Sequence, residues 1–285
     1  MALVLVGLCL GSFAGATVWR LRARQLKADK AAGEPINHAE FKHLEKLTKS
    51  SMLHDRSQCL HCSYVLRWYD LIPLVSWLSL GGKCRQCHHK IGYFEPLIEL
   101  GVATFFVASY AFWPYQLDTG LAITQFIVWL IAGVGLAILF VYDIKWFLLP
   151  DRVNFVVIGL GLITTILVIL QASDYVSAFF SIVGSGVILS GLYFILYVIS
   201  RGKWIGFGDI KLGLGLALLL ADWRLAFITL FAANLIGCII VIPAMIRGTL
   251  KRNSHIPFGP LLIAGAVVAQ FVGLYLVDVY FYTLS

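Results

Sequence analysis

The sequence predicts an all-α polytopic membrane protein of about eight transmembrane helices. Three observations predict it. Of 285 residues, 60% are hydrophobic and only 13% charged, with a mean hydropathy of +0.86, outside the range of water-soluble globules. Apolar runs approaching the roughly 20 residues that cross a hydrocarbon core recur between short polar breaks. Lys and Arg, finally, crowd into one stretch of the chain, as they do in cytoplasmic loops.

The runs define spans over Ala2 to Trp19, Leu97 to Trp113, Leu121 to Tyr142, Val153 to Leu170, Val176 to Ile199, Ile210 to Leu220, Leu225 to Ile246 and Phe258 to Tyr282. The sixth is short for a full crossing; it is either tilted or begins earlier, with its first residues facing protein. Between the first two spans lie Arg20, Arg22, Arg24, Lys27, Lys30, Lys42, Lys46, Lys49, Arg56, Arg67, Lys83, Arg85 and Lys90, which is 13 of the 22 Lys and Arg. That loop is therefore expected in the cytoplasm. Strict alternation then puts Lys145 and Arg152, Arg201, Lys203 and Lys211, and Arg247, Lys251 and Arg252 on the same side, with Arg224 opposite and both termini extracytoplasmic. The net charge of +7 is thus a topology signal and gives no reason to expect nucleic-acid binding.

Ala14-Gly15-Ala16 has the form of a signal-peptidase site, and Val6-Gly7-Leu8-Cys9 that of a lipoprotein site. A secretory signal carries its cations before the apolar region, whereas here they follow it from Arg20 onward. The first span is expected to be retained. The organisation that results is residues 1–19 as the first transmembrane helix, 20–96 as a cytoplasmic segment with a short polar helix over Ala39 to Ser51, and 97–285 as a seven-helix membrane bundle.

Four of the six cysteines fall in the cytoplasmic segment as Cys59-Leu-His-Cys62 and Cys84-Arg-Gln-Cys87, two Cys-x-x-Cys knuckles separated by 21 residues. Each knuckle can turn two thiolates toward one ion, and four thiolates complete a closed, structural zinc site. The cytoplasm disfavours the alternative of two disulfides, and no thioredoxin-like βαβ pattern supports a redox pair. His61, His88 and His89 read as solvated loop residues beside a shell already complete. Cys9 and Cys238 lie within spans, where a lone cysteine packs as a small apolar side chain.

Acids near membrane spans are costly and so tend to be functional or paired. Asp143 lies where the third span reaches the cytoplasmic face, and Asp209 ends Gly206-Phe207-Gly208-Asp209 at the start of the sixth, on the same face. Two carboxyls held close cannot both ionise easily, so one keeps a proton while the other acts as a base, the machinery of peptide hydrolysis. Gly206 and Gly208 would let backbone approach a substrate. From the carboxylates alone a second reading stays open, in which Lys145 neutralises Asp143 and Asp209 caps its helix. Asp151, after Pro150, reads as the N-cap of the next helix.

Several separate motifs then agree in order along nearly the whole chain: Gly11-Ser12-Phe13 with Trp19-Arg20-Leu21; Arg67 to Asp70 through Ile72-Pro73 to Ser76-Trp77; Pro96 to Leu100; Asp143 to Asp151; Gly206 to Lys211; and Pro257-Phe258-Gly259-Pro260. In these the sequence resembles the bacterial prepilin peptidases, or type IV leader peptidases. The resemblance implies Asp143 and Asp209 as the catalytic pair, the latter in a GxGD motif. It further implies a bacterial inner-membrane enzyme that cleaves the basic leader of type IV pilin or pseudopilin precursors after a glycine at the cytoplasmic face. Many members also N-methylate the new terminus with S-adenosylmethionine, for which no residues are assigned. The sequence departs from the family pattern at Arg22, where proline is common, and at Ser63 and His88, where glycine is common after a knuckle. Asp70 and Glu99 are candidates for positioning leader cations.

The competing class is a transport or binding protein whose carboxylates carry protons or cations, with the zinc loop docking a partner. Against it, the acids cluster at one face and no discontinuous-helix repeat is recognisable. An inactive assembly protein is a third reading, opposed by the intact aspartate pair. Substrate choice among pilins, pseudopilins and competence pilins is open, as is oligomeric state.

Overall fold

The structure, a computed structural model, describes residues 1–48, 56–249 and 256–284. Among them, every extended regular element is a helix: α1 (Ala2–Ala31), α2 (His38–Leu44), α3 (Val75–Ser79), α4 (Phe94–Ala111), α5 (Gly120–Trp146), α6 (Asp151–Gln171), α7 (Tyr175–Gly186), α8 (Leu192–Ser200), α9 (Phe207–Leu220), α10 (Trp223–Ile246) and α11 (Gly259–Leu284). A π-helical turn, Val187–Gly191, joins α7 to α8 into one run. Among the described residues, seven helical runs are long and apolar enough to cross a membrane. The remaining expected span, the sixth, exists as α9, a helix of 14 residues. At 1.5 Å per residue it is about 21 Å long, short of the roughly 30 Å of hydrocarbon.

The chain divides into two compact units, Met1–Val107 and Ala108–Ser285. In the first, α1 does not stop at Trp19 as expected but continues to Ala31. Beyond the span, Ala23 and Leu26 close a small core with Leu44 and Leu47. Arg22 there grips Glu40 of α2 through two hydrogen bonds of 3.0 and 2.7 Å. Where a proline would break the helix, Arg22 lets it run on and pins α2 to it. Asn37 caps α2 by accepting from the N–H groups of Ala39 and Glu40. The polar helix expected over Ala39 to Ser51 is found as α2 followed by a 3-10 turn, Glu45–Thr48, and its last residues lie outside the described ones. Gly7 and Gly11 lie four apart on α1, and a Cβ on Gly11 would come 2.6 Å from the Glu99 Cα of α4. Small residues thus bring these two backbones together as in membrane helix pairs.

In the second unit α5 is the most enclosed span, two-thirds buried (67%). Thr119 caps its start by accepting from Ala122 N–H, and a left-handed Phe147 ends it. Pro150 turns the chain into α6, so Asp151 is not an N-cap but the first residue of the helix. Short α9 is held by hydroxyls from its neighbours: Thr165 donates to the Leu218 carbonyl at 3.2 Å, Ser185 to that of Ala217 at 3.0 Å and Ser190 to that of Ile210 at 3.2 Å. Outward positions such as Phe155, Phe179, Phe180, Phe227 and Phe231 stay exposed and apolar, as a lipid-facing surface requires.

A Cβ on Gly213 of α9 would run into the Leu189 carbonyl of the π-helical turn, whereas one on Gly159 of α6 would meet open space. Gly213→Val should therefore destabilise the bundle by about 1–3 kcal/mol or more through overpacking. Gly159→Ala should be neutral or stabilising by up to about 1 kcal/mol. Thermal unfolding of the two variants in detergent measures the difference; equal melting temperatures would refute the close crossing.

Candidate active site

Three helix ends of the second unit meet around Asp143. It occupies the last turn of α5 and is 5% exposed. Its Oδ2 accepts a buried hydrogen bond of 3.0 Å from the backbone N–H of Gly259, the first residue of α11. Asp209 lies in the first turn of α9, half-buried, with Oδ2 accepting from Gly206 N–H at 3.1 Å. Its charge acts on Asp143 directly. Leu149 fills the corner between them: a Cβ on Gly208 would stand 3.0 Å from Leu149 Cβ, and one on Gly259 3.4 Å from Leu149 Cδ2. Two carboxyls on separate helices thus lie within electrostatic reach in a partly desolvated corner, one more enclosed than the other. Such a pair can divide the roles of acid and base.

The other acids are differently placed. Asp151 is exposed and pairs with Lys211 at 2.7 Å. Asp70 and Glu99, expected to position cations, are buried and satisfied internally. Asp70 accepts from Arg85 at 2.7 Å and from Arg67 N–H at 3.1 Å, and Glu99 from Leu74 N–H at 2.8 Å.

Two residues escaped the sequence reading. Tyr193 on α8 is buried, and its hydroxyl has no hydrogen-bond partner among the described residues; Asn154 on α6 is fully buried with both amide atoms equally without one. A lone asparagine or tyrosine in an apolar run is the only signal the sequence offered.

In the first unit the four cysteines converge, their sulfur atoms all within 4.8 Å of one another. The Cys59–Cys87 and Cys62–Cys84 pairs stand at 3.9 Å. A tetrahedral ion with bonds of about 2.3 Å to sulfur requires sulfurs about 3.8 Å apart, so the thiols fit one metal. Each knuckle is a tight turn: Ser63 N–H donates to the Cys59 carbonyl and His88 N–H to that of Cys84. Ser63 and His88 take left-handed φ values of 62° and 54°, the conformation for which glycine is favoured. Burial pushes the Cys59 thiol up to about 12. At Cys84 burial also opposes ionisation, but hydrogen bonds from the Cys87 and Gln86 backbone and from neighbouring thiols outweigh it and bring the group down to about 7. Beside the cluster lies a cavity of about 210 Å³ whose walls include Trp19, Asp70, Trp77, Glu95 and Glu99.

The fold defines a polytopic α-helical membrane protein, and the comparison with known proteins narrows it. The sequence matches the bacterial peptidase A24 N-terminal domain over residues 5–113 and the type IV leader peptidase family over residues 129–242. It is 31% identical over 270 residues to a type 4 prepilin-like proteins leader peptide-processing enzyme of Escherichia coli O78:H11, spanning 93% of this chain and 91% of that protein. Against a prepilin leader peptidase/N-methyltransferase of Pseudomonas aeruginosa the identity is 29% over 272 residues, 95% of this chain and 89% of that protein. A protein of the same name from Pectobacterium carotovorum is 30% identical over 278 residues, 93% and 90% of the two chains. No solved structure matches. The chain belongs to the type IV leader peptidase family and is a membrane peptidase.

Proposed function

We propose that this chain cleaves the basic leader from type IV pilin or pseudopilin precursors, serving pilus assembly or type II secretion, with Asp143 and Asp209 as its catalytic pair. The observation that carries the reading is their convergence from α5 and α9 beside the start of α11, with Gly259 N–H holding Asp143. One carboxylate takes a proton from water as the water oxygen adds to the scissile carbonyl carbon, while the other carboxyl protonates the carbonyl oxygen. The C–N bond then breaks as the protonated carboxyl gives its proton to the amine nitrogen and the other carboxylate takes one from a hydroxyl of the tetrahedral intermediate, which re-forms the carbonyl and resets the pair. Against a transporter reading, Asp151 is tied to Lys211, and Asp143 and Asp209 share one corner instead of spacing a path across the bilayer.

The P. aeruginosa and P. carotovorum names support a second step, N-methylation of the new terminus. S-adenosylmethionine, when bound, would supply an electrophilic methyl group. The cavity of the first unit suits such a sulfonium, since the Trp19 and Trp77 rings and the Glu95 carboxylate line it. In one assay, purified protein is incubated with a precursor and S-adenosylmethionine and the products are read by intact mass, alongside equilibrium binding of the labelled donor. Asp143→Asn and Asp209→Asn should each lower cleavage by roughly 10²- to 10⁴-fold while donor binding persists, and Asp151→Asn should be milder. Near-normal processing by either of the first two variants would remove the aspartyl mechanism; absence of both donor binding and methyl product would remove the second activity.

Cys59, Cys62, Cys84 and Cys87 bind one structural zinc, because four thiolates leave no open position. Cys59→Ser or Cys84→Ser should release it and expose the segment to proteases, and acidification should do the same, since protons compete for thiolates. Well-folded protein with no zinc by elemental analysis would contradict the site.

The protein lies in the bacterial inner membrane with the zinc loop and aspartate pair toward the cytoplasm, on the strength of the cation asymmetry. Cysteines placed at the exposed neighbours Ile144 and Phe207 should react with impermeant reagents in inverted vesicles and not in intact spheroplasts. Labelling from the outside would overturn the orientation.

A further inference from the structure

Tyr193 lies two residues after the π-helical turn Val187–Gly191. A π turn accommodates one extra residue, and at about 100° per residue it rotates everything beyond it to a new face. The turn is pressed against α9, where Gly213 leaves no room beside the Leu189 carbonyl and Ser190 bonds to Ile210. The bulge and the helix carrying Asp209 are therefore fixed together.

Where this puts Tyr193 is specific. The residue is 3% exposed, and its ring meets Phe258 edge-on, with centroids 5.4 Å apart. Phe258 precedes Gly259, whose N–H holds Asp143. The phenol lies close enough to Asp209 for that carboxylate's charge to act on it. Its hydroxyl is nevertheless without a hydrogen-bond partner among the described residues. Buried hydroxyls are bonded in nearly all proteins, and an exception calls for a reason such as a catalytic role. This one has a proton to donate beside an aspartate pair.

We infer that the Tyr193 hydroxyl is a further catalytic group, a hydrogen-bond donor to the scissile carbonyl oxygen that polarises it and eases the negative charge building on it in the transition state, before the carboxyl's proton has arrived. The inference rests on the reading of Asp143 and Asp209 as the catalytic pair. No proton leaves the phenol in this role; it donates a hydrogen bond throughout, while the carboxyls move the protons.

The test is Tyr193→Phe in the full chain, which keeps the ring on Phe258 and removes only the oxygen. kcat should fall on the order of a hundredfold, the cost of one oxyanion donor, with KM little changed. A peptide inhibitor with a tetrahedral hydroxyl-bearing carbon at the cleavage position should lose affinity in proportion, and the melting temperature and the pH–rate profile should hold. A loss of kcat below about threefold would overturn the assignment. So would a matched fall in melting temperature and substrate affinity, which marks packing. A displaced acid limb with normal kcat at the optimum would also overturn it, by showing action through Asp209. Asp143→Asn and Asp209→Asn run in parallel separate the two levels: if they are inactive while Tyr193→Phe is normal, only this inference fails, and if they are active, the aspartyl reading fails with it.

Discussion

The 3.0 Å hydrogen bond from Gly259 N–H to Asp143 is the contact on which the candidate site depends. A carboxylate at the end of an apolar span is expensive unless something donates to it. The first N–H groups of any helix lack an intrahelical partner, so the start of α11 supplies a donor without needing a side chain. Only glycine allows the approach, since a Cβ at residue 259 would stand 2.7 Å from the same carboxylate oxygen. Joining α5 to α11 in this way also positions Phe258 and, through its ring, Tyr193. One bond therefore organises groups from three helices.

The second constraint is the shortness of α9. A helix of about 21 Å cannot satisfy itself against lipid along a full crossing, so it is enclosed by protein instead. Leu212, Leu216 and Ala217 are buried, and hydroxyls from α6, α7 and the π-helical turn bond to its carbonyls. Asp209 begins a helix held on several sides. That rigidity is what an acid–base pair needs, because small displacements between reacting groups cost large factors in rate.

Much of this was legible in the sequence for a physical reason: lipid imposes a length and a polarity on each span, and both are visible in composition. The four-cysteine spacing was legible because knuckle geometry is local. What escaped was whatever depends on contacts distant in sequence. Helix α1 outruns its apolar stretch to Ala31 because Ala23 and Leu26 find Leu44 and Leu47, a match hidden among Arg20, Arg22, Arg24, Lys27 and Lys30. Ser63 and His88 stand out in the sequence as departures from glycine, but nothing local in it reveals their left-handed conformation. Tyr193 looked like one more apolar residue, because neither the π-helical turn nor the face it selects leaves a periodic signature.

The acids of the second unit also show why burial, and not proximity in sequence, separates candidate chemistry from structure. Asp143 and Asp151 are eight residues apart and flank the same Phe147-to-Pro150 turn. Asp151 faces water with Lys211 at 2.7 Å, so its charge is matched and its reach toward another reactant is spent. Asp143 accepts from an uncharged backbone donor, and a second carboxyl from α9 lies within electrostatic reach. Asp151 is engaged by a cation, whereas Asp143 keeps a neutral donor and a second carboxyl near it, the arrangement in which two carboxyls can share acid and base roles. The same helix junction thus holds one acid that stabilises the start of α6 and another suited to moving protons.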